Sequence, residues 1–358
     1  MISSLIVRHF RNIKAADIDT TSRVNIFYGQ NGAGKTSLLE AIHYLGLGRS
    51  FRTNHSAHII NNDTDSFSVF AHLDKNNQKI PMGLERLRTG DRTIKINGEC
   101  VTTISDLAKH LPLQLLSTIS YRFFFNGPKI RRQFLDWMLF HVEQSFFSRW
   151  QLFQRILKQR NAGIKARLPL EQIILWDNEF ITTANEIDRL RQDILARFAP
   201  IFLNLLQQLL PNYNIRLSYH RGWKQEKSLE AVLQQGLQRD LQIGFTQSGP
   251  QRADLRLLIN GTPAQDVLSQ GQQKLTLYAC HLAQGLLLKE KTQNDPIFLI
   301  DDITSELDHE KRDCIAQLLQ EIDSQIFITV VHRDDLGQIA QLKEAKMFHV
   351  EHGEITPK

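Results

Sequence analysis

Gly29-Gln30-Asn31-Gly32-Ala33-Gly34-Lys35-Thr36 has the spacing of a phosphate-binding loop: a glycine, four free positions, then Gly-Lys-Thr. The residue types suit that chemistry. Glycine lets the backbone turn tightly, so that successive N–H groups point at phosphate oxygens. A helix N-terminus adds partial positive charge there. Lys35 reaches β and γ phosphates, the Thr36 hydroxyl holds Mg²⁺, and Ser37 follows at once. The plain alternative is a glycine-rich turn that happens to precede a lysine. Context decides against it. Val24 to Tyr28 reads as a buried strand before the loop, and Leu38, Leu39, Ile42 and Leu45 follow at helical spacing.

Two further constellations bear on the same chemistry. Pro296-Ile297-Phe298-Leu299-Ile300-Asp301-Asp302 is an apolar strand ending in two carboxylates. Beside a phosphate loop, the first acid orients the Mg²⁺ shell and the second aligns or deprotonates an attacking water. Alone, the run reads equally as a core strand meeting a solvated turn. Leu268-Ser269-Gln270-Gly271-Gln272-Gln273-Lys274 opens a long apolar helix, where Ser269 and Gly271 can offer a hydroxyl and an N–H to an anion. An N-cap with no ligand explains that segment as well.

These residues need elements to position them. The first 120 residues read as strands, the loop and its helix, then short alternating segments from Phe67 to Ile96 punctuated by Thr89-Gly90-Asp91 and Asn97-Gly98, an antiparallel subsheet. A short helix ends at Pro112, and Leu113 to Ile119 reads as a strand. From Lys129 the period turns helical, with long helices to Leu210 interrupted near Pro169 and Pro200. The strand at Ile297, a helix from His309, a strand to Val331 and a closing hairpin around Gly353 complete the chain. The expected fold is α/β, a P-loop nucleotide lobe with an antiparallel subsheet and an inserted α-helical lobe. The expected bounds are 1–120 and 246–358 for the nucleotide lobe and 121–245 for the insertion.

Composition narrows the class. The chain is 42% hydrophobic and 23% charged, as soluble globular chains are. No apolar run approaches the ~20 residues of a membrane span. Arg8, His9 and Arg11 stand where a signal peptide has its apolar core, and Cys100, Cys280 and Cys314 lack metal-ligand spacing. A cytoplasmic protein is expected. Net charge is +5, but ten Lys and Arg lie between Arg122 and Arg167 against Asp136 and Glu143 alone. That block points to a polyanion, with Arg131, Arg132, Lys158 and Arg160 as candidate phosphate contacts; a solvated helix face would carry the same charges.

The order of loop, Leu268–Gln272 segment and Asp-Asp strand resembles the ATP-binding cassette family, whose signature is Leu-Ser-Gly-Gly-Gln; Gln270 replaces one Gly. Ser305-Glu306-Leu307-Asp308 resembles the family's D-loop. Phe10-Arg11-Asn12, Gly48 to Thr53, Gly127 to Asp136, Leu157 to Asn161 and Gly249 to Asp254 narrow the resemblance to the RecF family, bacterial repair ATPases of the SMC/Rad50-like group, along nearly the whole chain. Thr118-Ile119 stands where that family usually has Pro-Glu, and Asp302 is one methylene shorter than the usual Glu.

What the resemblance implies is specific. ATP and Mg²⁺ are the cofactors. Arg11, Asn12, Gly29 through Ser37, Ser269, Gly271 and Gln272 bind nucleotide, and Thr36 and Asp301 hold the metal. Lys35, Asp302 and His332 carry catalysis, with Thr329 filling the same alignment as His332. The implied activity is a weak DNA-dependent ATPase acting as a switch, in an ATP-dependent homodimer whose Ser269 and Gly271 complete the opposite site. Implied partners are single-stranded and gapped double-stranded DNA with RecR- and RecO-like mediators. A transporter's cassette subunit is the alternative class, and an ATP-gated binding protein with negligible turnover a third.

Overall fold

The computed structural model describes every residue of the chain except Asn76, Asn77, Gln293 and Glu306. The chain folds as two compact units, Met1–Tyr121 with Gln270–Lys358, and Arg122–Ser269. The first unit begins with β1 (Ile2–Phe10), β2 (Ile13–Asp19), β3 (Val24–Tyr28), α1 (Lys35–Leu47), β4 (Ser66–Lys75), β5 (Gln78–Leu87), β6 (Arg92–Ile96), β7 (Glu99–Cys100), α2 (Ile104–His110) and β8 (Leu113–Leu116). The second contains α3 (Arg122–Phe125), α4 (Pro128–Val142), α5 (Phe146–Lys165), α6 (Leu170–Ile173), α7 (Asp177–Leu209), β9 (Ile215–His220), α8 (Leu229–Ile243), β10 (Asp254–Ile259) and β11 (Thr262–Pro263). The chain then returns to the first unit with α9 (Gln270–Lys291), β12 (Ile297–Ile300), α10 (His309–Glu321), β13 (Ile326–Val330), β14 (Ala345–Glu351) and β15 (Glu354–Pro357).

Two sheets build the first unit. One is antiparallel, in the order β2-β1-β4-β5-β6-β7. The other runs β15-β14-β3-β13-β12-β8, parallel from β14 to β8, with β15 antiparallel at its edge. All of β12 and β13 is buried, which is why β12 reads as an unbroken apolar run and β13 is apolar but for Thr329. Helix α1 is apolar nearly all round and therefore must be covered all round. Leu38, Leu39, Ile42 and Leu45 share one core with Phe27, Leu299, Phe327 and Phe348 of the mixed sheet and with Val7, Phe67 and Val69 of the antiparallel one. Parallel register sets Ile300 of β12 level with Ile328 of β13, so Asp301, just past β12, stands beside Thr329 of β13.

In the second unit, α4, α5 and α7 bury Leu135, Phe153, Phe180, Phe198 and Phe202. Three sequence expectations are corrected. Helix α7 is not interrupted at Pro200 but runs through it. A mid-helix proline costs about 3 kcal/mol, and the apolar face formed by Phe198, Phe202, Leu205 and Leu206 offsets that at about 1.5–3 kcal/mol per fully buried side chain. The strand expected to Ile119 stops at Leu116, and a 3₁₀ turn takes Thr118–Tyr121. The boundary expected at 246 lies at Gln270, because β10 pairs antiparallel with β9 from Asp254↔His220 to Ile259↔Ile215 and so stays with the helical unit. Among the described residues no helix is long and apolar enough to cross a membrane.

His43 fastens the turn after α1. Its ring nitrogen Nδ1 donates to the Arg49 carbonyl at 3.0 Å, and the ring meets Phe51 edge to face at 5.1 Å. Burial pushes its pKa down to about 4 from the usual 6.5. The folded state therefore keeps His43 neutral where the unfolded chain protonates it. The resulting stability is full above pH 6.5 and is lost as pH falls toward 4, up to ~3 kcal/mol. In chemical denaturation at pH 7 and pH 5, the parent should lose about 2 kcal/mol more than His43→Gln between the two pH values. Equal losses would contradict the assignment.

Candidate functional site

The loop after β3 is shaped by contacts as much as by its own glycines. Gly29 has φ 154°, and a Cβ there would stand 2.1 Å from the Val350 carbonyl oxygen of β14. The turn joining β14 to β15 uses His352 and Gly353, both at positive φ, and the Gly353 N–H donates to the Ala33 carbonyl at 2.8 Å. The two-residue turn from β1 to β2 approaches from the other end of the chain. There Asn12 Nδ2 donates to the Gly32 carbonyl at 3.1 Å. Gly34, at φ 121°, lets the loop enter α1, and a Cβ there would crowd Asn12 at 3.1 Å.

Within this frame the buried Lys35 Nζ donates to the carbonyls of Gly29 at 2.6 Å and Gln30 at 3.0 Å. Burial lowers its pKa, while Asp302 and Asp301 act to raise it. The Thr36 hydroxyl donates to Asp301 at 2.9 and 3.2 Å, and Thr329 Oγ1 donates to the same carboxylate at 2.7 Å. Burial raises the Asp301 pKa, the two threonine hydroxyls oppose that, and Asp302 adds to it. Asp302 sits at φ 52°, unusual for a residue with a side chain and a mark of strain common at functional sites. Its N–H donates to Thr329 Oγ1 at 2.8 Å, and its carbonyl accepts from Lys274 Nζ at 3.2 Å.

Lys35, Thr36, Asp301, Asp302 and Thr329 line one cleft of about 720 Å³. Of the expected nucleotide residues, Arg11, Asn12, Asn31, Gly32, Gly34, Lys35, Thr36 and Ser37 stand on its wall with Asp301 and Asp302. Gly29, Gln30 and Ala33 belong to the loop but not to the wall. His332 is exposed and off the wall, whereas Thr329 is buried and on it. Gly271 and Gln272 lie in the first turn of α9, off the wall of this cleft, and Ser269 ends the other unit. Of the segment that resembles a D-loop, Glu306 lies outside the described residues.

Sequence reasoning missed Glu40. It is fully buried on α1 and takes Arg11 at 2.7 and 3.0 Å, Arg52 at 3.5 Å and the Ser50 hydroxyl. Glu40 thereby holds Arg11 and Arg52 at the cleft. The signal was present as one carboxylate inside an otherwise apolar helix. A charge so placed is seldom buried without cationic partners.

The candidate polyanion contacts need correcting. Arg131 pairs with both oxygens of Asp254 at 2.7 and 3.1 Å, and Arg132 donates to the Ala253 carbonyl at 2.7 Å. Arg160 is fully buried and binds Asp177 at 2.8 Å, Asp240 at 3.0 Å and Thr246 at 2.7 Å. These three are internal ties of the second unit. The fully buried Arg191 joins Asp136 to the Pro250 carbonyl, so the Gly127–Asp136 and Gly249–Asp254 segments are partners of one another. Lys158 alone of the four is exposed. Arg160→Met strands two carboxylates and should cost about 3–5 kcal/mol. Lys158→Ala should stay within about 0.5 kcal/mol. Chemical denaturation of both variants checks this, and a harmless Arg160→Met would contradict it.

The family model described as RecF/RecN/SMC N terminal domain matches residues 1–356. A protein of Coxiella burnetii named DNA replication and repair protein RecF is 52% identical over 355 residues, covering 99% of each chain. A protein of the same name from Psychromonas ingrahamii is 41% identical over 356 residues, again covering 99% of each chain. A solved structure titled as the recombination mediator protein RecF-ATP in the RecFOR pathway superposes with TM-score 0.87 at 25% identity, covering 100% of this chain and 97% of that one. An SMC head bound to the C-winged helix domain of ScpA shares the fold, with TM-score 0.61 at 16% identity. The chain belongs to the RecF family, within the RecF/RecN/SMC group.

Proposed function

We propose that this protein binds ATP with Mg²⁺ in the cleft between the Gly29–Ser37 loop and Asp301, and acts as an ATP-dependent DNA-binding protein of recombinational repair and replication restart. The observation that carries the nucleotide reading is the meeting of Thr36 and Asp301 at hydrogen-bond distance. A hydroxyl and one carboxylate are the hard oxygen donors that Mg²⁺ takes when phosphates and waters complete its shell. The loop's N–H groups and Lys35 suit the phosphates, and Arg11, held by Glu40, adds charge at the rim. Mg²⁺, when bound, would neutralise charge on the phosphates during their transfer to water. Thr329 orients Asp301 and supports the strained backbone of Asp302, whose carboxylate would align water.

The repair role rests on the end-to-end relatives, which are named for DNA replication and repair. None of the comparisons favours a transporter's cassette subunit. In the proposed cycle two copies meet head to tail, each cleft completed by Ser269, Gly271 and Gln272 of the other copy. ATP is then a dimerising ligand, and slow hydrolysis resets the switch. Single-stranded and gapped DNA and mediators like RecR and RecO are the proposed partners, in the cytoplasm.

Lys35→Ala should weaken ATP binding about ten- to a hundredfold in a folded protein, the loss of charge-assisted hydrogen bonds. Asp302→Asn should keep ATP bound and slow turnover about a hundredfold. Parent-like ATP titration and steady-state hydrolysis in both would refute the assignment. Assembly is tested separately by sedimentation. A ligand shifts an equilibrium only through its differential affinity for the two states. ATP should therefore drive the parent to dimers and ADP should not, while Ser269→Arg should stay monomeric with ATP bound. Identical profiles in ATP, in ADP and without nucleotide would exclude this assembly.

A further inference from the structure

The cations singled out in the basic block are mostly internal, yet the second unit carries another set that charge counting along the chain did not reveal. The segment between β9 and α8, together with α8 itself, walls a groove of about 500 Å³. Its exposed cations are Lys224, Lys227 and Arg239. Lys227 Nζ donates to Gln235 at 2.7 Å. Lys224 and Arg239 have no side-chain partner among the described residues. Among the described residues, the one carboxylate in the wall is Asp240. It is spent on the buried Arg160 at 3.0 Å and on the Gln247 N–H at 2.9 Å. Glu226 and Glu230, the acids of the same segment, stay out of the wall.

The groove is also prebuilt. Arg221 donates to the carbonyls of Lys224, Gln225 and Lys227 at 2.8–3.0 Å, and its guanidinium lies 4.6 Å over the Trp223 ring. This clamp uses one cation to hold the segment that displays two others. Trp223 is 4% exposed, and its indole N–H has no acceptor among the described residues. Cations fixed on a stiff segment, with the local carboxylate already neutralised, attract an anion at little ordering cost. The ligand must present several negative oxygens in a row.

We propose that this groove contacts the backbone phosphates of DNA, through Lys224 and Lys227 on the segment that Arg221 and Trp223 hold rigid and through Arg239 on α8. The proposal rests on the DNA-binding reading above and assigns it a surface. Phosphate contacts of this kind set affinity and salt dependence and carry no sequence preference.

The test is fluorescence anisotropy of the full-length protein with a labelled duplex bearing a single-stranded gap, in ATP and Mg²⁺, across a salt series. Each lost phosphate contact lowers the log–log salt slope by ~0.9, so Lys224→Ala/Arg239→Ala should lower it by about 1.8. Raising salt from 50 to 200 mM should then cost the double variant about tenfold less affinity than it costs the parent. ATP affinity should not change. The charge-conserving pair Lys224→Arg/Arg239→Lys should keep the parent's slope, which separates charge from shape. A double variant with the parent's slope and affinity would overturn the proposal. So would polyglutamate displacing the DNA as well as an equal charge of unlabelled DNA, which would reassign the groove to an acidic protein. A parent that binds no DNA at all would retract the DNA reading itself, a different failure.

Discussion

The Asp301 carboxylate, at the end of a buried parallel strand, accepts hydrogen bonds from Thr36 on one side and Thr329 on the other. Burial works against its charge, and the two hydroxyls work for it. That balance is met only if three strands keep their register. β12 must bring Asp301 out level with Thr329 of β13, and β3 must deliver the loop so that the first turn of α1 faces both. The strained turn at Asp302 then follows directly, its N–H satisfied by the same Thr329 hydroxyl. Lys274 holds the Asp302 and Ser305 carbonyls from α9, the helix that the Leu268–Gln272 segment opens. The turn and that helix are therefore mechanically joined within one unit.

The loop depends on both ends of the chain. Asn12 near the start and Gly353 near the finish each hold a loop carbonyl, and Val350 sets the space that leaves room only for glycine at position 29. A phosphate loop must keep its N–H groups turned inward before a ligand arrives, or binding bears the cost of ordering them. Here that order is supplied by hairpin turns of neighbouring strands. Glu40 extends the same logic to the rim, where one buried carboxylate holds two arginines.

Much of this was legible in the sequence, because the deciding signals are local. Gly29 to Thr36, the strand before it and the helix after it are read from adjacent residues, and β12 with its terminal carboxylates from a single run. The antiparallel subsheet followed from alternation and turn residues, and its strands pair as expected. What was not legible depends on partners distant in sequence. Arg160 reads as a surface cation until Asp240 and Thr246 fold onto it. The Leu255–Ile259 strand looked like part of the nucleotide lobe because nothing nearby announces its pairing with Ile215–His220. Pro200 read as a break because propensity sees the missing N–H and not the apolar face that carries α7 past it. Between His332 and Thr329, residue type alone could not choose; the fold buries Thr329 beside Asp301 and leaves His332 exposed.

In the proposed function, Thr36 and Asp301 act as one metal-holding unit on a bound nucleotide. A double-mutant cycle of Thr36→Ala and Asp301→Asn, read by calorimetric ATP titration with Mg²⁺ and again with excess EDTA, tests it most directly. Groups that act together give non-additive losses. With Mg²⁺, either single substitution should lose most of the affinity and the second should add little; with EDTA, all four proteins should bind ATP alike. Additive losses, or losses of the same size without the metal, would contradict the account.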